Sequence, residues 1–348
     1  MIRVLIVDDS AFVRTILKQA LSQDPEIEII GMASDPYEAS EKILSLKPDV
    51  MTLDIEMPKM NGVSFLTKLI PQYPLPVIMV SSLTKRGAKI TFDCLERGAV
   101  DFVPKPNSQS MGNMIGVLIR SIKNASKIDR NLIKAKACER LKKRISMDPM
   151  KYIMDHILIG IGSSTGGTDA LVEVISHLPA NCPGIAIVQH MPAGYTEIFA
   201  ERLNSRSAMD VKEAKTGDVI KSGVVLIAPG GKHLSVENDH GIFKAKVSDG
   251  VKVNGHQPSV DVLFDSIAQI NAKQSIGVIL TGMGNDGAKG LLNMRNSGSY
   301  TIGQNEKTCV VYGMPKVANE LGAVCEEVSI DQVSHKIIES VRHLIKKK

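Results

Sequence analysis

Five short apolar runs alternating with segments of helical spacing occupy the first hundred residues, and no other feature of the sequence limits its fold so tightly. Val4–Val7 stops at Asp8-Asp9-Ser10 and is followed by Phe12, Ile16, Leu17, Ala20 and Leu21, which recur three to five residues apart. Ser10 stands where a helix N-cap belongs. Ile27–Gly31, Asp49–Leu53, Val77–Val80 and Asp101–Val103 read as further strands, and Tyr37–Leu46, Gly62–Ile70 and Lys85–Arg97 as helices. Strands joined through helices make a doubly wound parallel sheet. Functional groups in such a sheet gather beyond the carboxyl ends of the strands. Here those ends carry Asp8 and Asp9, Asp54, Ser81-Ser82 and Lys105. Three carboxylates brought together repel one another unless a cation joins them, and an all-oxygen set suits Mg²⁺. A lysine and a hydroxyl opposite it can hold the remaining oxygens of a phosphoryl group.

The second half has the same grammar. His156–Ile161 reads as a buried strand, Gly162-Ser163-Ser164-Thr165-Gly166-Gly167 as a sharp turn, and Ala170, Leu171, Val174, Ile175 and Leu178 as a helix face. A Gly-x-Ser-x-Gly turn between strand and helix lifts one hydroxyl clear of the backbone, and the frame selects Ser164. The competing reading is a serine-rich helix cap. Gly184–Val188 runs out to His190, and Ser275–Leu280 runs through Gly282 and Gly284 to Asp286. A hydroxyl, an imidazole and a carboxylate thus fall past three strands on one rim, the set required for nucleophilic acyl transfer. The N–H groups of Thr165 and Met283 are the expected oxyanion donors. His233 and His256 compete with His190 as base, and Asp286 competes with a plain turn role. A dinucleotide site fails because Thr165 replaces the third glycine and no acid ends the second strand. The order Ser, His, Asp differs from that of α/β-hydrolases. Further strands are expected at Val224–Ala228 and Ser299–Gly303, helices at Glu197–Asn204, Val260–Ile270, Gly287–Ser297 and Pro315–Leu321, and a hairpin around His233–Val253.

Between the halves, Arg120–Arg144 is strongly basic and accounts for part of the net charge of +5. Its shortage of aromatics, and the absence of a helix-turn-helix pattern after it, favour a solvated linker over a nucleic-acid patch at Lys142–Arg144. The five cysteines show no metal spacing, no apolar run is long enough to span a membrane, and the acidic start is not a signal peptide. A cytoplasmic protein without a transmembrane segment or nucleic-acid partner is expected.

The constellation at residues 1–105 resembles the receiver domain of two-component response regulators. By that resemblance Asp54 is the phospho-acceptor, Asp8 and Asp9 carry Mg²⁺ with the backbone of Glu56, Ser81 is the switch hydroxyl, Lys105 senses phosphate, and Phe102 is the switch aromatic. GIGSSTGG, VQHM, APGGKHL, HQPSVDVLF, LTGMGNDGAKG and YGMPK, in this order, resemble the chemotaxis receptor protein-glutamate methylesterases. The resemblance implies hydrolysis of glutamate methyl esters on chemoreceptors with release of methanol, and deamidation of receptor glutamines. It makes Ser164 the nucleophile, His190 the base and Asp286 its orienter, with no cofactor for the ester reaction. It also implies a receiver that covers the active-site mouth until a chemotaxis histidine kinase phosphorylates it, at receptor clusters on the inner face of the membrane. The expected layout is a flavodoxin-like receiver domain with a five-stranded parallel sheet over residues 1–107, a basic linker over 108–151, and a larger doubly wound, mainly parallel α/β catalytic domain over 152–348. The alternative is a non-catalytic response regulator whose second domain binds protein or DNA.

Overall fold

The computed structural model describes residues 1–57, 60–81, 85–105, 111–128, 130, 133 and 154–346. Ser82, Pro106, Lys142–Arg144 and the last two lysines of the tail lie outside the described residues. The chain divides into two compact units, Met1–Lys142 and Lys143–Lys348.

In the first unit β1 (Ile2–Val7), β2 (Ile27–Ala33), β3 (Val50–Asp54), β4 (Val77–Ser81) and β5 (Asp101–Pro104) form a parallel sheet in the order β2-β1-β3-β4-β5. This is the flavodoxin-like order, with its switch point beside β1. Val4–Val7 and all of β3 are buried, because helices cover both faces and leave no polar side to the strand. Helices α1 (Ala11–Leu21), α2 (Pro36–Leu46), α3 (Gly62–Gln72) and α4 (Lys85–Glu96) follow the first four strands. Three of them begin where a side chain accepts the free N–H groups of the first turn: Ser10 for Val13, Asp35 for Tyr37 and Glu38, Asn61 for Ser64.

The first unit does not end at residue 107. Helix α5 (Met111–Ala125) packs against β4, β5 and α1 through Met114, Leu118, Ile122 and Ala125, which are buried. Ser121 Oγ donates to Asp101 Oδ2 at 2.7 Å, and Lys123 pairs with Asp24 at 2.9 Å and Glu26 at 2.6 Å. The start of the expected basic linker is therefore an amphipathic helix of the sheet's outer layer. Its two basic residues lie off that buried stripe, Arg120 exposed and Lys123 half-buried in its ion pairs.

In the second unit β6 (Leu158–Ser163), β7 (Gly184–Gln189), β8 (Asp210–Glu213), β9 (Val224–Ile227), β12 (Ser275–Ile279), β13 (Tyr300–Gln304) and β14 (Glu326–Val328) form one parallel sheet, ordered β14-β13-β12-β6-β7-β9-β8. Strands β10 (His233–Asp239) and β11 (Ile242–Ser248) make a separate antiparallel hairpin. Helices α6 (Gly167–Ser176), α7 (Thr196–Asn204), α8 (Val260–Asn271), α9 (Ala288–Asn296), α10 (Met314–Glu320) and α11 (Ile330–Lys346) complete it. Strands β8 and β14 and helix α11 were not expected from the sequence. No helix among the described residues is long and apolar enough to cross a membrane.

Helix α8 lies unusually close to β6 because two strand residues have no side chain. A Cβ at Gly160 would come 2.7 Å from Ile267 Cδ1, and one at Gly162 would come 2.2 Å from Val260 Cγ1. This approach sets the N-terminus of α8 beside the carboxyl end of β6. Gly162→Ala is expected to force α8 outward at a cost of about 1–3 kcal/mol. Calorimetry checks this as a fall of roughly 2–10 °C in the melting temperature of the second unit.

Candidate active site

The turn after β6 separates its two serines. Ser163 points into the interior, fully buried, and its Oγ donates to Gln189 Oε1 at 2.7 Å. Ser164 is half-buried on the turn itself. Its N–H donates to the Thr281 carbonyl at 3.0 Å, and its own carbonyl accepts from the Gly167 N–H at 2.7 Å and Gln189 Nε2 at 3.0 Å. The tightness of the turn requires glycine. Gly166 has φ +76°, and a Cβ at Gly167 would lie 2.1 Å from Gln189 Oε1. The Ser163 hydroxyl is thus spent on structure, whereas that of Ser164, on the half-buried turn, makes no hydrogen bond among the described residues.

His190 follows β7 directly, its N–H donating to the Ser163 carbonyl at 3.1 Å. Gln189 Nε2 also donates to the His190 carbonyl at 3.1 Å, so one amide clips the Ser164 and His190 turns together. His190 Nε2 lies 2.7 Å from Asp286 Oδ2, while its Nδ1 is buried without a hydrogen-bond partner among the described residues. A carboxylate at Nε2 places the proton there and leaves the lone pair on Nδ1.

Asp286 is 1% exposed. Its Oδ1 accepts from Ser259 Oγ at 2.7 Å, Asn254 Nδ2 at 2.9 Å and the Asp261 N–H at 3.4 Å. Oδ2 accepts from the Val260 N–H at 2.7 Å as well as from His190. Burial pushes its carboxyl up, but His190, Ser259 and Asn254 more than offset this and hold it well below the usual carboxylate range. The carboxylate sits on the N-terminus of α8, where backbone N–H groups favour negative charge.

The rival histidines have other positions. His233 Nε2 donates to the Val251 carbonyl at 2.9 Å and its Nδ1 accepts from the Ser259 N–H at 3.3 Å, so both nitrogens brace the loop before α8. His256 lies flat on His190, with ring centroids 3.8 Å apart and planes inclined by 4°. On the other flank Gly282 presses on Ser164, since a Cβ there would come 2.8 Å from Ser164 Cβ. Gly282 is held by bonds to Val311, Gly313 and Met314. Among the described residues, the N–H groups of Thr165 and Met283 meet no backbone carbonyl. A hydroxyl, an imidazole with a free nitrogen, a buried carboxylate and two spare donors can together perform acyl transfer.

In the first unit the acidic strand ends converge. Carboxylate oxygens of Asp8, Asp9 and Asp54 lie within 4.8 Å of one another, a donor set fit for a hard cation. Lys105 Nζ reaches Asp54 Oδ2 at 2.7 Å and Asp8 Oδ2 at 3.0 Å. Asp54 Oδ1 accepts the N–H groups of Ile55 at 2.7 Å and Glu56 at 3.4 Å. Burial pushes the Asp54 carboxyl up to about 6, with Lys105 opposing and Asp8 adding to the rise. Ser81 ends β4 opposite Pro104, and Phe102 in β5 meets Phe92 edge-on at 6.2 Å.

The CheB methylesterase family matches residues 159–337, and the response regulator receiver domain matches residues 4–115. A protein-glutamate methylesterase/protein-glutamine glutaminase of Syntrophotalea carbinolica is 49% identical, with 97% of each chain covered. The chain belongs to the CheB methylesterase family. A relative of the same description from Sulfurimonas denitrificans is 50% identical over 93% of this chain and 94% of that protein. The CheB methylesterase catalytic domain of Thermotoga maritima, a crystal structure, matches with 41% identity and a TM-score of 0.52, covering 53% of this chain and 97% of that one.

Sequence pattern alone does not single out Gln189, Asn254 and Ser259, nor the stacking of His256 on His190. Ser259 had a visible signal, since a serine directly before an apolar helical stretch is an N-cap candidate. Asn254 had a weaker one in Asn-Gly, a turn dipeptide. The acids of the first unit yield a pH prediction. Asp54 and Asp101 are both raised by burial from 3.8 to about 6, so the folded state binds these protons more tightly than the unfolded chain. Stability present at low pH is therefore lost as pH climbs through this window. Denaturant titrations with chelator present should show Asp54→Asn removing roughly 3 kcal/mol of that decline, with the part due to Asp101 remaining.

Proposed function

We propose that the second unit is a serine hydrolase that cleaves glutamate methyl esters on chemoreceptors and deamidates receptor glutamines, under control of phosphorylation at Asp54. The observation that carries the catalytic assignment is the state of His190, bonded through Nε2 to an anionic Asp286, with Nδ1 unpartnered among the described residues and its strand end paired to that of Ser164. Ser164 Oγ attacks the side-chain acyl carbon as its proton passes to His190 Nδ1. Asp286 stabilises the imidazolium, and the N–H groups of Thr165 and Met283 receive the oxyanion. Collapse breaks the carbon–oxygen bond and His190 protonates the departing methoxide, giving methanol. Water, deprotonated by His190, then attacks the acyl-enzyme and releases glutamate and Ser164. A glutamine side chain takes the same path with ammonia as leaving group.

In the receiver, Asp54 attacks the phosphorus of a phosphohistidine on the chemotaxis kinase, breaking its nitrogen–phosphorus bond. Asp8, Asp9 and Asp54, with the backbone of Glu56, are the residues that would hold Mg²⁺, which offsets the charge of the phosphoryl group. Lys105 moves its ion pair onto phosphoryl oxygens, and Ser81 and Phe102 pass the change outward. The protein acts at receptor clusters on the cytoplasmic face of the membrane.

Methanol release from methylated receptor membranes tests this. Ser164→Ala should lose turnover by about 10⁴-fold or more, whereas Ser163→Ala should stay within about tenfold of the unaltered chain. Acetyl phosphate with Mg²⁺ should stimulate release, and Asp54→Asn should abolish the stimulation. Full activity in Ser164→Ala would overturn the catalytic assignment.

A further inference from the structure

We propose that His256 is a positioning residue for His190, carried by the Asn254-Gly255 turn and locking the plane in which His190 presents Nδ1. The proposal rests on the reading of His190 as the base. A single hydrogen bond from Nε2 to Asp286 anchors one corner of the imidazole but does not fix its tilt about that corner. Nδ1 offers no second anchor in the resting site, because it is buried without a hydrogen-bond partner among the described residues. The face of the ring must therefore be held by packing. His256 supplies that surface, with centroids 3.8 Å apart and planes within 4° of parallel.

The turn that delivers His256 is built for accuracy. Val253 and His256 exchange two backbone hydrogen bonds, N–H to carbonyl, at 3.1 and 2.9 Å. The two residues between them, Asn254 and Gly255, both have positive φ, +52° and +80°. That is the two-residue hairpin for which Asn-Gly is the favoured pair. The Asn254 amide then ties the turn to the site it serves. Its Nδ2 donates to Asp286 Oδ1 at 2.9 Å and to Asp261 Oδ2 at 2.7 Å, bridging two carboxylates that otherwise repel. Asp261 is itself held by the Gly290 N–H at 2.7 Å. His233 closes the loop from outside through Val251 and Ser259. One carboxylate, Asp286, thus anchors both the edge of His190 and the turn whose ring covers its face.

The test compares the full-length chain with His256→Ala, His256→Phe, Asn254→Ala and His190→Gln. It measures kcat and KM for methanol release and records imidazole ¹⁵N resonances of His190. His256→Ala should lower kcat about 100-fold with KM within about twofold, since misplacing a reacting group by an ångström has that scale of effect. His256→Phe, which keeps a flat ring without a titratable group, should recover kcat to within about fivefold of the unaltered chain. Asn254→Ala should lower kcat about tenfold, and His190 should show averaged, mobile resonances in both alanine variants. Equal losses in His256→Ala and His256→Phe, or an unchanged kcat in His256→Ala, would overturn the positioning role while leaving His190 as base. Retained turnover in His190→Gln would instead remove the base reading, and the proposal with it.

Discussion

A buried carboxylate at position 286 is the constraint on which the second unit's rim depends. An unmatched charge at this depth costs several kcal/mol, and only a full set of donors offsets it. Asp286 has five, from Asn254, Ser259, Val260, Asp261 and His190. They come from the turn after β7 and from the segment entering α8, and the carboxylate itself comes from the loop after β12. Solvating one charge therefore obliges three separate pieces of chain to meet. The close approach of α8 to β6 across Gly160 and Gly162 makes the meeting geometrically possible, by setting the helix N-terminus at the sheet edge where the charge lies.

Asp54 shows the same physics with the opposite outcome. It too is buried at a strand end, at 2% exposure, yet its carboxyl is pushed up rather than down. The difference lies in the donors and neighbours. Asp54 has one lysine shared with Asp8, one good backbone N–H and one long one, and a second carboxylate close by that repels it. Asp286 is saturated and Asp54 is not. A residue proposed to anchor an imidazole gains from holding its charge permanently. One proposed to attack phosphorus gains from a lone pair not wholly occupied by hydrogen bonds. Local donor supply, rather than burial alone, sorts the two aspartates into these roles.

Much of this was legible in the sequence because strands buried on both faces carry an unmistakable apolar run, and because the residue after such a run has a predictable place. That logic put Asp54, Ser164 and His190 at strand ends, where β3, β6 and β7 carry them. It failed where pattern is weak. Strands β8 and β14 are four and three residues long and lie at the sheet edges, where one side is open and Asp210, Lys212, Glu326 and Glu327 are tolerated. Helix α11 does carry a readable stripe, Val333, Ile337, Ile338 and Val341, all buried against the sheet and α6. The choice between Ser163 and Ser164 depended on which way one side chain turns at the last residue of β6. The choice among three histidines depended on loops whose paths no periodicity encodes.

The order Ser, His, Asp along the chain follows from the order in which the sheet is laid down. Strand β6 is built first and occupies an interior position, β7 is added on one side, and β12 arrives much later on the other. Ladder partners Ser163 with Gln189, and Gly162 with Ile279, put the residues just beyond these strands side by side. Hydrogen-bonded strands lie about 4.8 Å apart, so three neighbouring ends span a distance that side chains can bridge. Serine and histidine need only the first residue past β6 and β7. The carboxylate needs a longer reach, and the loop from Leu280 to Gly287 provides it, with glycines at 284 and 287 in left-handed conformations. An α/β-hydrolase presents its triad in another chain order, serine, acid, histidine. Chain order therefore records when each strand was placed. The proposed chemistry depends only on which strand ends finish as neighbours, and a sheet wound outward from an interior strand brings the ends of β12, β6 and β7 together whatever their distance in sequence.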